Sequence, residues 1–527
     1  MPTTFDPARK APGVYVRVEP SGSRPIQGVG TSTAAFVGFT ERAPNTDNPD
    51  DPSYVADWFP GKPVRVTSWT QYTQKFGGFF EGAYTPLSVF GFFANGGGEC
   101  YIVRVNAGEA PDRAFSVRLP SRAGAETLEF SAKDAIEGIT ISVSAPPTAG
   151  EGEDDDARFS LTIKAPGKTE EKYENLTLKK GDRNLSTVIA RDSKLVTVVE
   201  RAQRGAALAE AAPREGTYPL VAQAGTTALV PQGFEGDSRE RVGIAGLDAV
   251  DEITMIAVPD LMKALEEKLI DMDGVAGIQN ALLTHCAEHK DRLAILDAPP
   301  GLDAQAMEDW KAKHPAVFSE EGFGTLYYPW IKVMDPLTRK PKLMPPSGHV
   351  AGVWCRTDDL RGVHKAPANE QLMNVIDLER QLTQVEMGSL NSKSINCLRA
   401  FPGAGIRIWG GRTLAVEDSE WRYINVRRLV NYIAESIEVG TQWVVFEPND
   451  DALWARVTRN VTAFLMTVWG RGALFGTVPE EAFFVKCDRE TNPPNLRDMG
   501  VLTCEIGIAP VKPAEFVVFQ IRQMTKE

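Results

Sequence analysis

Ile253-Thr254-Met255-Ile256-Ala257-Val258-Pro259 and Arg292-Leu293-Ala294-Ile295-Leu296-Asp297 decide the fold class. Each is a short apolar run without polar alternation. The first stops at a proline, and the second leads into Pro299-Pro300-Gly301. A half-buried strand alternates, because successive side chains point to opposite faces. A run that is apolar on both faces needs cover on both, and a helix between two such runs supplies it. The stretch between them, up to about Lys290, reads as that helix. Residues 236–370 are therefore expected to be an α/β region.

Residues 371–510 continue the body. Asp418 or Ser419 is placed to cap a helix in which Trp421, Ile424, Val430, Ile433 and Ile437 recur at helical spacing, with Gly440 as its stop. Gln442-Trp443-Val444-Val445-Phe446-Glu447-Pro448 reads as a strand. Asn449 or Asp450 caps a second helix carrying Leu453, Val457, Val461, Phe464, Leu465 and Val468. Glu481–Asp488 and Leu502–Ile508 read as two further strands. Trp421, Trp443, Trp454, Trp469, Phe464, Phe483 and Phe484 occupy positions where core residues belong.

On the N-terminal side, residues 23–106 hold the apolar run Ala34-Ala35-Phe36-Val37-Gly38-Phe39. A helix is announced by Thr85-Pro86 and closed by Gly96-Gly97-Gly98, and Cys100–Val105 reads as a strand. Residues 107–235 differ in texture. Leu161–Lys164 and Leu195–Val199 suggest short strands, and Glu151–Asp156 is an acidic run expected in a solvated loop. This region reads as a β-rich insertion on the surface of a larger body.

Two strand-forming segments remain. Pro12–Pro20 contains Val14, Tyr15, Val16, Arg17 and Val18. Pro513–Arg522 contains Phe516, Val517, Val518, Phe519, Gln520 and Ile521. Prolines and glycines hold both off from the body. A lone terminal strand cannot satisfy its own backbone, so it must join a sheet, either its own chain's or another's. The expected organisation is a multidomain α+β or α/β chain: arm 1–22, core 23–106, insertion 107–235, α/β region 236–370, C-terminal core 371–510 and arm 511–527.

Composition narrows the function. A length of 527 residues with 43% hydrophobic content gives ample core material for roughly three domains. The net charge of -13, with bases and acids interspersed, argues against a nucleic-acid partner. No apolar run approaches the ~20 residues of a membrane span. The start lacks a basic region followed by an apolar stretch, so a cytoplasmic product without a signal peptide is expected. The six cysteines stand singly and read as reduced thiols.

One cluster resembles a metal site. His285-Cys286-Ala287-Glu288-His289 fits the H-x-x-E-H pattern of a metallopeptidase group, with two imidazoles one helical turn apart. A third ligand is needed, and nothing downstream marks one. Histidine and lysine at a helix end are expected from the helix dipole alone. Gly167-Lys168-Thr169 lacks the earlier glycine of a phosphate loop. Gly403-Ala404-Gly405 precedes a strand, the reverse of a dinucleotide fingerprint. No nucleophile–base set is visible. The expectation is no enzyme, no cofactor and no metal, with a metal-dependent hydrolase on His285, Glu288 and His289 as the competing reading.

Gly440-Thr441-Gln442-Trp443-Val444-Val445-Phe446-Glu447-Pro448-Asn449-Asp450 resembles a signature of contractile tail sheath proteins. So do Glu481–Asp488, Ile506–Phe516, and Ile395–Gly403 with Gly405–Gly410. Pro12-Gly13-Val14-Tyr15-Val16 is similar to that family's N-terminal arm. The resemblance is strong over about 390–523 and over 10–105, and weak over 107–235, where such sheaths carry variable insertions. It leans toward extracellular contractile injection systems.

The resemblance implies a C-terminal α/β sheath domain and a subunit that stacks in rings around an inner tube. Arm strands Val14–Val18 and Phe516–Ile521 would complete sheets in adjacent C-terminal domains. Pro20-Ser21-Gly22 and Pro510–Pro513 would be the hinges. The acidic loop would face the outer wall. Arg456 and Arg459 are candidates to face the tube, against the plain alternative of a solvated helix face. The implied partners are the chain itself, an inner tube protein, and baseplate and terminal cap proteins, without nucleic acid or direct membrane insertion. The particle would be a phage tail or phage-tail-like, kept in the cytoplasm or released by lysis. Another structural part of the same particle is the remaining alternative, although tube subunits are smaller and lack paired arms.

Overall fold

A computed structural model describes residues 25–517 apart from 47, 60, 106–114, 123–125, 134–137, 147–156, 167, 180, 201–210 and 223–231. The N-terminal arm with Val14–Val18, the acidic run, and Val518, Phe519, Gln520 and Ile521 lie outside the described residues. The chain divides into two compact units. One comprises Met1–Arg104, Phe234–Lys263 and Met272–Glu527; the other comprises Val105–Gly233 and Ala264–Asp271.

The first unit is built on one sheet of eight strands. They are β1 (Thr33–Gly38), β2 (Val64–Val66), β3 (Glu99–Arg104), β4 (Met255–Ala257), β5 (Leu293–Asp297), β6 (Gly324–Tyr328), β7 (Ile395–Phe401) and β8 (Gly405–Ile408). The order across the sheet is β8-β7-β6-β5-β4-β1-β3-β2. The six inner strands are parallel, and each edge carries one antiparallel strand. All residues of β1, β4, β5 and β6 are buried, which is why these runs lack alternation. Gly403 and Gly405, both at positive φ, turn the β7–β8 hairpin.

Helices α1 (Thr85–Ala94), α2 (Met272–His289) and α3 (Ser347–Arg361) belong to this unit. The helical stretch after β4 is two pieces, Asp260–Glu266 and α2, rather than one. Helices α1 and α3 meet nearly backbone to backbone. A Cβ on Gly348 would fall 2.5 Å from the Ser88 Cα, and one on Gly352 would fall 2.3 Å from the Phe92 carbonyl oxygen. Two glycines one turn apart on α3 therefore set the helix spacing.

Two buried carboxylates close this core. Asp260 accepts from the Phe39 amide at 2.6 Å, the Thr85 amide at 3.3 Å and the Tyr84 amide. Asp297, at the end of β5, accepts from the Ser347 amide at 2.9 Å and its hydroxyl at 2.6 Å. Burial raises Asp297 to about 7, against the opposing Ser347 hydrogen bonds. The folded state thus keeps a proton that the unfolded chain releases from about pH 4 upward. This term lowers stability as pH rises from there to about 7. Asp297→Asn should remove a few kcal/mol of that decline; urea unfolding at pH 5 and pH 8 checks it, and equal pH slopes would contradict it.

The C-terminal part of the unit pairs α4 (Ile424–Thr441) with α5 (Asp451–Gly470). Leu429 and Ile433 meet Leu453, Trp454, Val457, Val461, Phe464, Leu465 and Val468 in one core. Asp450 caps α5 by accepting from the Leu453 amide at 2.8 Å. Three expectations need correction here. Helix α4 starts at Ile424 behind Tyr423, while Ser419 serves a turn by accepting from the Trp421 amide. Gly440 does not stop it: the helix runs on to Thr441, and a Cβ on Gly440 would fall 2.8 Å from Ile26 side-chain atoms. Gln442–Pro448 is not a strand but a 3-10 turn at Gln442–Val444 followed by irregular chain. Its apolar residues are explained locally: Trp443 and Val444 pack on the helical core, and Phe446 is fully exposed at φ 69°.

The second unit holds two antiparallel four-stranded sheets. One is ordered Gly216–Pro219, Thr140–Ser144, Phe159–Lys164, Glu171–Leu176. The other is ordered Val221–Ala222, Phe115–Pro120, Glu126–Ala132, Val196–Glu200. Leu119, Leu128, Phe130, Ile141, Leu161 and Ile163 alternate inward, and helix Leu185–Asp192 adds Leu185 and Ile189. Its N-cap Asn184 accepts from the Thr187 amide at 3.1 Å.

Candidate assembly surface

The C-terminal core carries a separate sheet of two strands, β9 (Phe483–Lys486) and β10 (Glu505–Ile508). They run antiparallel, with Phe483 opposite Ile508 and Lys486 opposite Glu505. Phe483 is buried in the helical core, and Val485, Ile506 and Ile508 pack partly against it. Successive residues alternate, so Phe484 points outward and is 52% exposed. Core placement therefore fails for Phe484, while it holds for Trp454, Phe464 and Phe483.

Among the described residues no third strand pairs with β9 or β10. Both outer edges thus present unpaired backbone N–H and C=O groups. A two-stranded sheet is marginal by itself, and only its helix-facing side is supported here. Phe446, Phe475, Val478, Met499 and Val501 are exposed apolar residues of the same C-terminal region.

The start of the C-terminal arm is fastened to its own body. Pro510 bridges to Leu474, and the Val511 amide donates to the Ala473 carbonyl at 3.2 Å. Glu515 then takes a two-point contact from Arg412, with Nε to Oε1 and Nη2 to Oε2 both at 2.8 Å. Asn391 adds a bond at 2.7 Å and the Tyr423 hydroxyl one at 3.2 Å. Arg412 itself is buried and held by Asn396, which accepts from its amide and donates to its carbonyl. Partial burial pushes the Glu515 carboxyl up, but Arg412 and Asn391 outweigh this and hold it below its usual value. Pro510–Pro513 is therefore not a free hinge. The first unfastened arm residues are Phe516 and Val517, which are exposed and form no strand.

Glu515→Gln should cost about 2–3 kcal/mol, because a charge-assisted fork is lost and buried Arg412 keeps only the Asn391 carbonyl and the more distant Glu417. The tail should also become sensitive to limited proteolysis. Unchanged stability and cleavage would contradict the clamp. The wild-type contribution is present above the ordinary glutamate range and lost as pH falls through the lowered value.

Arg456 is less free than its sequence position implies. It lies 3.2 Å from Glu447 and over the Trp443 ring at 5.3 Å, whereas Arg459 is exposed. The H-x-x-E-H pattern is only partly realised. His285 Nδ1 lies 3.3 Å, and His289 Nε2 2.8 Å, from Oδ1 of Asp248, a residue that sequence reading passed over. Glu288 is exposed and outside this group. Burial, with help from Arg292 and His289, drives His285 down to about 4, so its imidazole is neutral at pH 7. No described helix is long and apolar enough to cross a membrane.

Comparison with known proteins bears on this architecture. Residues 251–414 match the phage tail sheath protein central domain, and residues 416–524 match the phage tail sheath C-terminal domain. A tail sheath protein of Burkholderia phage BcepMu is 32% identical over 194 residues, covering 35% of this chain and 41% of that protein. A putative prophage major tail sheath protein of Pseudomonas aeruginosa (strain UCBPP-PA14) is 25% identical over 245 residues, covering 45% and 58%. The chain thus spans about half the length of these relatives. The helical sheath of the anti-feeding prophage in its contracted state has the same fold, with TM-score 0.57 and 24% identity over 98% of this chain and 99% of that one.

Proposed function

The chain belongs to the phage tail sheath family, and on that premise we propose that it is the repeating subunit of a contractile sheath, part of a phage tail or phage-tail-like particle. The observation that carries this reading is β9–β10, a two-stranded sheet open at both edges in a chain with a strand-forming segment at each end. Arm strands from neighbouring subunits, Val14–Val18 and Phe516–Ile521, complete it by strand addition. Burying four or five apolar side chains at about 1.5–3 kcal/mol each gives at most about 15 kcal/mol per arm. Ordering a loose arm offsets much of this. The remainder holds subunits together while their bodies exchange contacts.

In this reading the sheath surrounds a rigid inner tube, engages baseplate and cap proteins, and drives the tube through a target envelope as it shortens. The Glu515 clamp fixes where the arm leaves the body, so the hinge lies beyond it. Arg459, exposed on α5, is the better of the two tube-facing candidates. The exposed position of Glu288 disfavours the hydrolase reading.

Negative-stain electron microscopy of the chain expressed alone tests the proposal. Long hollow striated cylinders are expected. Monodisperse particles that stay single when inner tube and baseplate are supplied would overturn it.

A further inference from the structure

We propose that Asp248 Oδ1, His285 Nδ1 and His289 Nε2 form a binding site for one first-row divalent transition metal, zinc first among them. The three ligand atoms lie within 4.8 Å of one another. Two imidazoles and a carboxylate suit zinc, and a water completes four-coordination. The histidines are four residues apart on the last turn of α2, so both project to one side, with ring centroids 4.6 Å apart. That turn is the negative end of the helix dipole, which favours a cation.

The surroundings are those of a held ligand set. Ser238 Oγ donates to Asp248 Oδ2, which leaves Oδ1 to face both rings. His285 is buried, its Nε2 has no hydrogen-bond partner among the described residues, and its Nδ1 faces Asp248 Oδ1 at 3.3 Å. The nearby Arg292 guanidinium is offset by Asp291, at 2.6 and 2.8 Å. Asp248 lies on the 3-10 turn Ala245–Ala249, and Arg292 already grips the Leu247 carbonyl of that turn and the Val250 carbonyl just after it. A bound ion would brace the same turn from its other side, tying the end of α2 to the chain that enters β4. The site holds an ion and does not hydrolyse with it, because Glu288, the base the pattern would supply, is outside the group.

The test is metal content of the full chain, dialysed against EDTA and then against micromolar zinc or cobalt. About one equivalent per chain is expected, and cobalt should give the visible absorption of a four-coordinate site. His289→Ala and Asp248→Asn should each weaken binding at least roughly tenfold, and Ser238→Ala by about tenfold. Glu288→Gln should leave it unchanged. Circular dichroism identifies any variant that has lost its fold. No metal in the wild-type chain at micromolar zinc, or equal occupancy in folded Asp248→Asn, would overturn the site.

Discussion

A chain lacking residues 1–20 is expected to fold, remain soluble and form no tubes. Folding survives because the body's own anchors begin later. Ile26 is buried with the C-terminal helical core. The Val29 amide donates to the Ser436 hydroxyl at 3.1 Å, and Thr31 donates to Asp358 at 2.8 Å. None of these is removed. On the proposed arm mechanism assembly is lost, because each subunit then supplies only one of the two strands that its neighbours' β9–β10 sheets would take up. The effect is all-or-none in electron micrographs and sedimentation. Tubes of normal order from the truncated chain would sink the arm mechanism while leaving family membership intact.

Arg428→Ala is the second large effect. Arg428 on α4 grips Asp358 on α3, with Nη1 to Oδ1 at 2.8 Å and Nη2 to Oδ2 at 2.5 Å, and Nη2 also reaches the Thr31 carbonyl at 3.0 Å. Its guanidinium lies over the Trp354 ring. Both partners are buried. This contact ties the C-terminal helices to α3 and, with the Val29–Ser436 bond, to the chain entering β1. Removing the arginine strands a carboxylate in the core and should cost about 3–5 kcal/mol. Replacing both partners with apolar residues, Arg428→Met with Asp358→Leu, should cost less, because no charge is left behind. Urea unfolding of the arm-truncated monomer measures both. A double variant less stable than the single would contradict this account.

The inner strands were legible because complete burial writes itself as an unbroken apolar run, as in Ala34–Phe39 and Leu293–Leu296. The Asp450 cap was legible because its chemistry is local. Gln442–Pro448 misled because its apolar residues satisfy two different surroundings: a helical core for Trp443 and Val444, and solvent for Val445 and Phe446. Gly440 misled for a related reason, since Ile26 lies far away in sequence. The assembly surface was half legible. Arm composition marks the strands that must find a sheet, but an open sheet edge depends on what fails to pair. Glu515 meets Arg412 across 103 residues, and Asp248 meets His289 across 41, so no spacing rule joins them.

Helical reconstruction by cryo-electron microscopy of the assembled tubes tests the central claim most directly, by tracing residues 12–20 and 513–522. The account predicts that β9 and β10 are flanked by strands from two neighbouring subunits, with Glu515 still on Arg412 of its own chain. Arms folded back onto their own subunit, or a β9–β10 sheet left with two strands in the tube, would contradict it.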